Sequence, residues 1–349
     1  MKKRKYIING LFLIALILGT AYFIFKDQEV TEIFKYIEQA KNSWLIIGFT
    51  FVMIYVSFES VVIHYLMNTL SCNIGFLHCL KYSFIGFFVS AITPSATGGQ
   101  PAQLYYMNSD GISVAVSSLV LMVVTVAYKA VLLVFAAFMF IFEYDFVMAH
   151  IMNIKFIMIF GIVVNVIIIG FLWLVLFKQS FAKKAVGKFI LFLGRIHILK
   201  NYKKTLQKVL KAIGKYEDSA SYLMTHKLVF FNVFLITLVQ RLALFAVTYA
   251  VYKAFGLTGY SALEIITLQL IISLAVDNLP LPGGLGASEG IFVIFFEEIF
   301  TAKYITAGLL LSRGLSYYVI IILGGLITLF AQLTQKKRTK YERNNGARE

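Results

Sequence analysis

Six apolar runs of at least 20 residues, at positions 6–25, 43–67, 113–142, 154–177, 228–254 and 304–333, constrain this chain more than any other feature. At 1.5 Å of helical rise per residue each is long enough to cross a hydrocarbon core of about 30 Å. Apolar residues make up 60% of the 349, well above the roughly 45–50% of water-soluble domains, so no aqueous fold has enough interior to hide them. The chain therefore reads as an all-α polytopic membrane protein with a single integral membrane domain over residues 1–349.

The formal net charge of +15 raises nucleic acid as a partner, and the placement of the basic residues argues against it. Of the 32 lysines and arginines, 22 lie in three clusters: Lys2 to Lys5, Lys178 to Lys227, and Lys336 onward. By the positive-inside rule these segments are cytoplasmic, facing anionic inner-leaflet lipids. That makes a multi-pass protein of the cell membrane with both termini in the cytoplasm. Run 6–25 continues past Gly19-Thr-Ala21 and reads as an uncleaved first helix rather than a signal peptide. In the basic loop, Phe181, Val186, Phe189, Ile190 and Leu193 among lysines fit an amphipathic helix on the inner leaflet or a solvated linker. Cys72 and Cys79 read as small buried hydrophobes. His64, His78, His150, His197 and His226 are scattered without ligand spacing, so neither a metal nor another cofactor is expected.

Orientation then becomes a parity problem. With the N-terminus inside, 26–42 is outside and 68–81 inside. The basic loop after Phe177 is inside, so 143–153 is outside and the run from Ser113 begins inside. The twelve apolar residues of 82–93 must begin and end inside, and they run into Pro94-Ser-Ala-Thr-Gly-Gly-Gln-Pro101. Segment 264–300 must likewise begin and end outside, split into 265–276 and 291–300 around Asn278-Leu-Pro-Leu-Pro-Gly-Gly-Leu-Gly-Ala-Ser-Glu-Gly290. Each reads as a Pro/Gly-broken re-entrant hairpin. The spacing thus predicts two inverted repeats, 43–142 and 228–333, preceded by the first helix and outer loop (1–42), joined by a connecting helix and basic loop (143–227), and followed by a basic tail (334–349). Paired interrupted segments of this kind mark transporter binding sites near the midplane, where broken backbone is tolerated only against protein or a cavity.

Ionisable residues inside spans are costly and become candidates for function. Glu59, Lys129, Arg241 and Arg313 are the clear cases. Glu59 and Lys129 each lie 35 residues from Pro94, while Arg241 and Arg313 lie 39 and 33 from Pro280. Such residues either pair structurally, as Glu59 with Arg241, or bind a phosphate headgroup, for which arginine's planar fork is suited. Arg313 has small neighbours and no carboxylate within a turn, which favours the headgroup role. Asp277, Asn278 and Glu289 add groups for a zwitterionic headgroup. Around the breaks, Pro94, Ser95, Gly98, Gly99, Gln100, Pro101 and Gln103, with Pro282, Gly283, Gly284, Gly286 and Ser288, complete the candidate substrate-binding set. Their backbone amides at half-helix N-termini would attract an anion.

Thr93-Pro-Ser-Ala-Thr-Gly-Gly-Gln-Pro-Ala-Gln103 and Leu281-Pro-Gly-Gly-Leu-Gly-Ala-Ser-Glu-Gly290, in this order, resemble the two signature stretches of the flippase-like membrane region of lysylphosphatidylglycerol synthetases, the bacterial multiple peptide resistance factor family, and its stand-alone relatives. The likeness covers about residues 43–333. Lys129 stands where the family's arginine is expected, and Arg313 with Ser316-Tyr-Tyr318 resembles its last-helix motif. The resemblance implies lipid transport between leaflets and, for aminoacylated phosphatidylglycerol, resistance to cationic peptide antibiotics. Bifunctional members carry a soluble transferase domain after the membrane part; this chain ends at Glu349 in a short basic tail, so lysyl transfer is not expected of it.

The resulting expectation is a lipid flippase for a phospholipid or glycolipid, with a membrane lipid bearing an anionic or zwitterionic headgroup as partner, no nucleic acid, and further copies of itself if it assembles. Two other classes stay open: a membrane transferase such as a phosphatidylglycerol lysyltransferase, and a small-solute or ion transporter on the same scaffold.

Overall fold

The protein is described here by a computed structural model covering residues 30–151, 154–177, 187–188, 191, 195, 219–223 and 225–345, the last ten by backbone alone. Run 6–25, most of the basic loop and the side chains of the basic tail lie outside the described residues, and with them the readings made there. Regular structure among the described residues is helical throughout. The order is α1 (Val30–Glu38), α2 (Asn42–Thr69), α3 (Phe76–Ala91), a 3-10 turn at Pro94–Ala96, α4 (Gly99–Ser109), α5 (Val114–Phe142), α6 (Tyr144–Ile151) and α7 (Lys155–Phe177). After the basic loop follow α8 (Lys227–Ala254), α9 (Ala262–Val276), a 3-10 turn at Pro282–Gly284, α10 (Ala287–Arg313), a π turn at Gly314–Tyr318 and α11 (Val319–Asn345).

Five helical stretches among the described residues are long and apolar enough to cross a membrane: Asn42–Thr69, Val114–Phe142, Lys155–Leu176, Lys227–Ala254 and Pro282–Gln335. The chain is a multi-pass membrane protein. Its outward faces fit that solvent, since Phe156 and Phe330 are 85% and 72% exposed, a cost in water that lipid removes. Two of the expected loops are partly helical, at α1 and α6. The first hairpin begins six residues earlier than the apolar count suggested, at Phe76, because Lys81 is accommodated inside α3 by Asp110.

Contacts at the two ends of the bundle show which helix ends lie together. At one end the Lys41 N–H donates to the Ala254 carbonyl (2.8 Å), the Tyr252 hydroxyl receives the Tyr260 N–H (3.2 Å), and the Tyr36 and Tyr304 rings meet edge to face at 5.6 Å. The start of α2, the end of α8, the start of α9 and residue 304 therefore share that end. At the other, Lys81 pairs with Asp110 (2.5 Å), Asn232 donates to the Tyr65 hydroxyl (3.0 Å) and Gln335 to Ser109. Thus α3 and α4 start and finish at one end, whereas α9 and the first part of α10 start and finish at the opposite one. Within α10 the helical path breaks at Thr301 (φ 59°, ψ 159°), which reverses the chain.

The hairpin tips meet in the middle of the bundle. Ser95 Oγ donates to the Leu279 carbonyl (3.2 Å) and the Tyr317 hydroxyl to the Ala91 carbonyl (3.0 Å). Apolar cores lie on either side of this level. One gathers Val62 to Met67, Leu119 to Val123 and Val229 to Val233; the other gathers Leu132 to Met139, Phe245 to Tyr252 and the second hairpin. Along α5 and α8, Lys129 and Arg241 fall between the two cores.

Candidate functional site

Both tips are built alike. Pro94 and Pro282 each open a 3-10 turn, where a ring-locked φ and a missing N–H cost least. The next two residues are left-handed in both: Ser95 (φ 49°) and Ala96 (φ 54°) in the first, Gly283 (φ 57°) and Gly284 (φ 67°) in the second. Glycine takes that conformation without steric cost and L side chains do not, so strain is confined to the first tip. Gly99 serves close approach, since a Cβ there would meet Ser90 Oγ and the Gly86 carbonyl across the first hairpin. Gly86 in turn leaves room for Gln103.

Beneath the tips lies a cavity of about 520 Å³. Of the residues singled out in the sequence, Glu59, Ser95, Gln100, Gln103, Lys129, Arg241, Asp277, Asn278, Gly283, Gly284, Ser288 and Arg313 line it. Pro94, Gly98, Gly99, Pro101, Pro282, Gly286 and Glu289 do not. They shape the turns and the hairpin seams, and Glu289 sits one layer behind Arg313.

The charges are distributed in an unexpected way. Glu59 Oε1 accepts from Gln103 Nε2 (3.0 Å) and Oε2 from Gln240 Nε2 (3.4 Å). Asp277 accepts from the Tyr128 hydroxyl and from Ser273 Oγ (2.7 Å). Both carboxylates are thus served by neutral donors. The Arg241 guanidinium lies 3.6 Å from the Tyr128 ring centroid and 5.1 Å from that of Tyr55, and donates to the Tyr55 hydroxyl at 3.4 Å. Lys129 Nζ donates to Asn278 Oδ1 (3.1 Å) and lies 5.0 Å from the Tyr128 centroid.

Of the two readings left open for the buried charges, a direct Glu59–Arg241 pair is not what the structure shows: Gln103 and Gln240 donate to the carboxylate, and Arg241 lies within electrostatic reach of it without a hydrogen bond or ion pair among the described residues. One expectation is corrected. Arg313, expected to lack a carboxylate, binds one: its Nε donates to Glu289 Oε1 at 2.6 Å and its Nη2 to the Gly283 carbonyl at 3.1 Å. The expected free amides at the half-helix N-termini are also partly taken. Glu289 Oε2 receives the Gly286 N–H (2.7 Å) and the Ser288 hydroxyl (3.0 Å), and Thr93 Oγ1 receives the Gly98 N–H (3.0 Å).

Sequence reasoning passed over Tyr55, Tyr128 and Gln240. All three carried a usable signal: Tyr128 adjoins Lys129, Gln240 adjoins Arg241, and Tyr55 lies one helical turn before Glu59, so each shares a face or a layer with a buried charge.

The family model described as the lysylphosphatidylglycerol synthase TM region matches residues 7–324. A UPF0104 membrane protein of Archaeoglobus fulgidus is 24% identical over 330 residues, covering 90% of this chain and 94% of the relative. One of Methanothermobacter thermautotrophicus is 22% identical over 268 residues, 74% of this chain and 76% of the relative. With the two broken hairpins in place and the match spanning nearly the whole sequence, the chain belongs to the family of the lysylphosphatidylglycerol synthase TM region.

Proposed function

We propose that this chain is a lipid flippase of the cell membrane, with both termini cytoplasmic, in which two inverted repeats pass a headgroup through the central cavity while the tails stay in the bilayer. The observation that carries the reading is the cavity itself. It combines fixed charges from α2, α5 and α8 with the two hairpin tips, and its lining extends to Ile168 on α7, the helix most exposed to lipid. A polar chamber reached past a lipid-facing helix suits a molecule with one polar and one apolar end.

Repeat symmetry is supported by one numerical coincidence. A shift of 188 residues maps Pro94, Ser95 and Ala96 onto Pro282, Gly283 and Gly284, and also maps Thr125 onto Arg313. Gln100, which donates to Thr125, maps onto Ser288, the neighbour and bonding partner of Glu289. Each half then has a brace from its hairpin to the following helix, neutral in the first and charged in the second. An aminoacylated phosphatidylglycerol among the cargoes would link the activity to resistance against cationic peptides.

The test is reconstitution into vesicles carrying a tail-labelled fluorescent phospholipid, followed by a membrane-impermeant reductant. The expected result is that the inner-leaflet pool becomes accessible only in vesicles that contain the protein. Full protection of that pool, or lysyl transfer to lipid without transbilayer movement, refutes the reading. The same vesicles loaded with small solutes test the transporter alternative.

A further inference from the structure

A second cavity, of about 310 Å³, lies at the end of the bundle where the first hairpin starts and finishes, between α3, α4 and α11. It shares no lining residue with the central one, and along α3 the fully buried Tyr82 and Ile85 fall between the residues of the two. Its walls differ in character. Leu77 is 76% exposed and Phe330 on α11 is likewise bare, whereas Lys81, Asp110, His78 and Thr334 supply polar groups. Phe330 lies one helical turn before Thr334, so along α11 the lining passes from apolar to polar toward the helix end. That gradient follows the boundary between acyl chains and headgroups. Lys81 is held by Asp110, whose Oδ2 accepts from its Nζ (2.5 Å) and from the Tyr82 hydroxyl (2.6 Å). The bond balances the carboxylate without exhausting the ammonium, which has three N–H groups on a side chain that is 25% exposed. Beyond the cavity α11 continues through Lys336-Lys-Arg-Thr-Lys340, four cations with no carboxylate before Glu342. With Lys81 and Asp110 cancelling, the balance of charge at this end of α11 is positive.

Basic pockets between helices at a membrane surface bind anionic headgroups, because charge attraction and acyl-chain contact act on the same molecule. We propose that this cavity seats the headgroup of one anionic phospholipid from the leaflet at that end, cytoplasmic in the topology proposed above, at a site separate from the transport chamber. Lys81 gives its remaining N–H groups to the phosphate, Thr334 and His78 border the headgroup, and Leu77 and Phe330 receive the start of an acyl chain. A lipid so placed bridges the first hairpin to the last helix, beside the bond from Gln335 to Ser109. Phosphatidylcholine offers the same phosphate, but its choline meets the positive end of α11, so selectivity falls on net charge.

The experiment places one tryptophan at the rim, Leu77→Trp in a full chain whose Trp44 and Trp173 are replaced by phenylalanine, and measures its quenching in vesicles by lipids with brominated tails. Brominated phosphatidylglycerol is expected to outcompete brominated phosphatidylcholine at position 77 by about fivefold, the preference that one nearby cation confers. A chain that keeps only Trp173, exposed on α7, reports the general lipid annulus and should show a clearly smaller preference. Thr334→Glu puts a carboxylate on the exposed rim and should abolish the preference at position 77. Lys81→Gln with Asp110→Asn removes the ion pair without stranding a charge and should do the same. Should the latter double variant fail to fold, Thr334→Glu, at an exposed position, carries the test alone. Equal preference at positions 77 and 173, or a preference at 77 that survives Thr334→Glu, overturns the proposal. Neither outcome bears on the flippase reading, which is judged by movement between leaflets; a preference that appears in vesicles without such movement keeps this site and removes that reading.

Discussion

The ion pair between Glu289 and Arg313 should be the strongest single tie between the second hairpin tip and the last helix, and a double-mutant cycle measures it. Their side chains are 4% and 18% exposed and meet at 2.6 Å. Removing one partner of such a pair leaves the other charge buried, so Arg313→Ala should cost about 3 kcal/mol. Glu289→Ala should cost about 4 kcal/mol, because the Gly286 N–H also loses its cap, a further contribution of about 1 kcal/mol. Without either charge the double variant should lose about 4 kcal/mol rather than the additive 7, a coupling of about 3 kcal/mol. SDS-induced unfolding followed by circular dichroism gives the four free energies. A double variant whose loss equals the sum of the single losses to within about 0.5 kcal/mol refutes the pairing. The same cycle on Glu59 and Arg241 should show much weaker coupling, since no direct bond joins them.

The left-handed residues of the tips give opposite outcomes in the two halves: Ser95→Gly should stabilise the chain by up to about 1 kcal/mol by relieving strain, while Gly283→Ala should destabilise it by at least about 1 kcal/mol, both read in the same unfolding assay. Gly99→Leu and Gly284→Leu should abolish lipid movement in vesicles without preventing membrane insertion, because Ser90 with the Gly86 carbonyl, and Val276, occupy the space a side chain needs. Normal transport by both variants would count against close packing at the tips. For topology, single cysteines at Asn108 and Thr258 in a background lacking Cys72 and Cys79 should label from opposite faces, with Asn108 on the cytoplasmic one. Labelling of both from one face contradicts the opposed hairpins.

What the sequence made legible was depth, and what it hid was pairing. Hydropathy and charge placement located the spans and the two breaks, because apolar run length and Pro/Gly interruption are local properties of the chain. They also marked Glu59, Lys129, Arg241 and Arg313 as ionisable residues inside spans, and all four line a single cavity in the structure. The partners were another matter. Glu59 looked like the natural counter-ion for Arg241, yet two glutamines from different helices take it, one of them 181 residues away in sequence. Amide side chains carry no signal at long range comparable to a charge. Arg313 looked isolated because its carboxylate is 24 residues upstream, beyond any helical spacing. The missing datum was the reversal at Thr301. Glu289 and Arg313 each lie twelve residues from it, so an antiparallel helix pair folded there must bring them to the same height. Had the turn contained glycine or proline, the equidistance would have been readable. Thr301-Ala-Lys303 has neither, and a non-glycine residue held at φ 59° is sustained by its surroundings rather than by its own preference. Here those surroundings include the stacked rings of Phe255 and Tyr304 (4.9 Å) and the edge contact of Tyr252 with Phe300 (5.8 Å). Tertiary packing sets the hinge, and the hinge sets the ion pair.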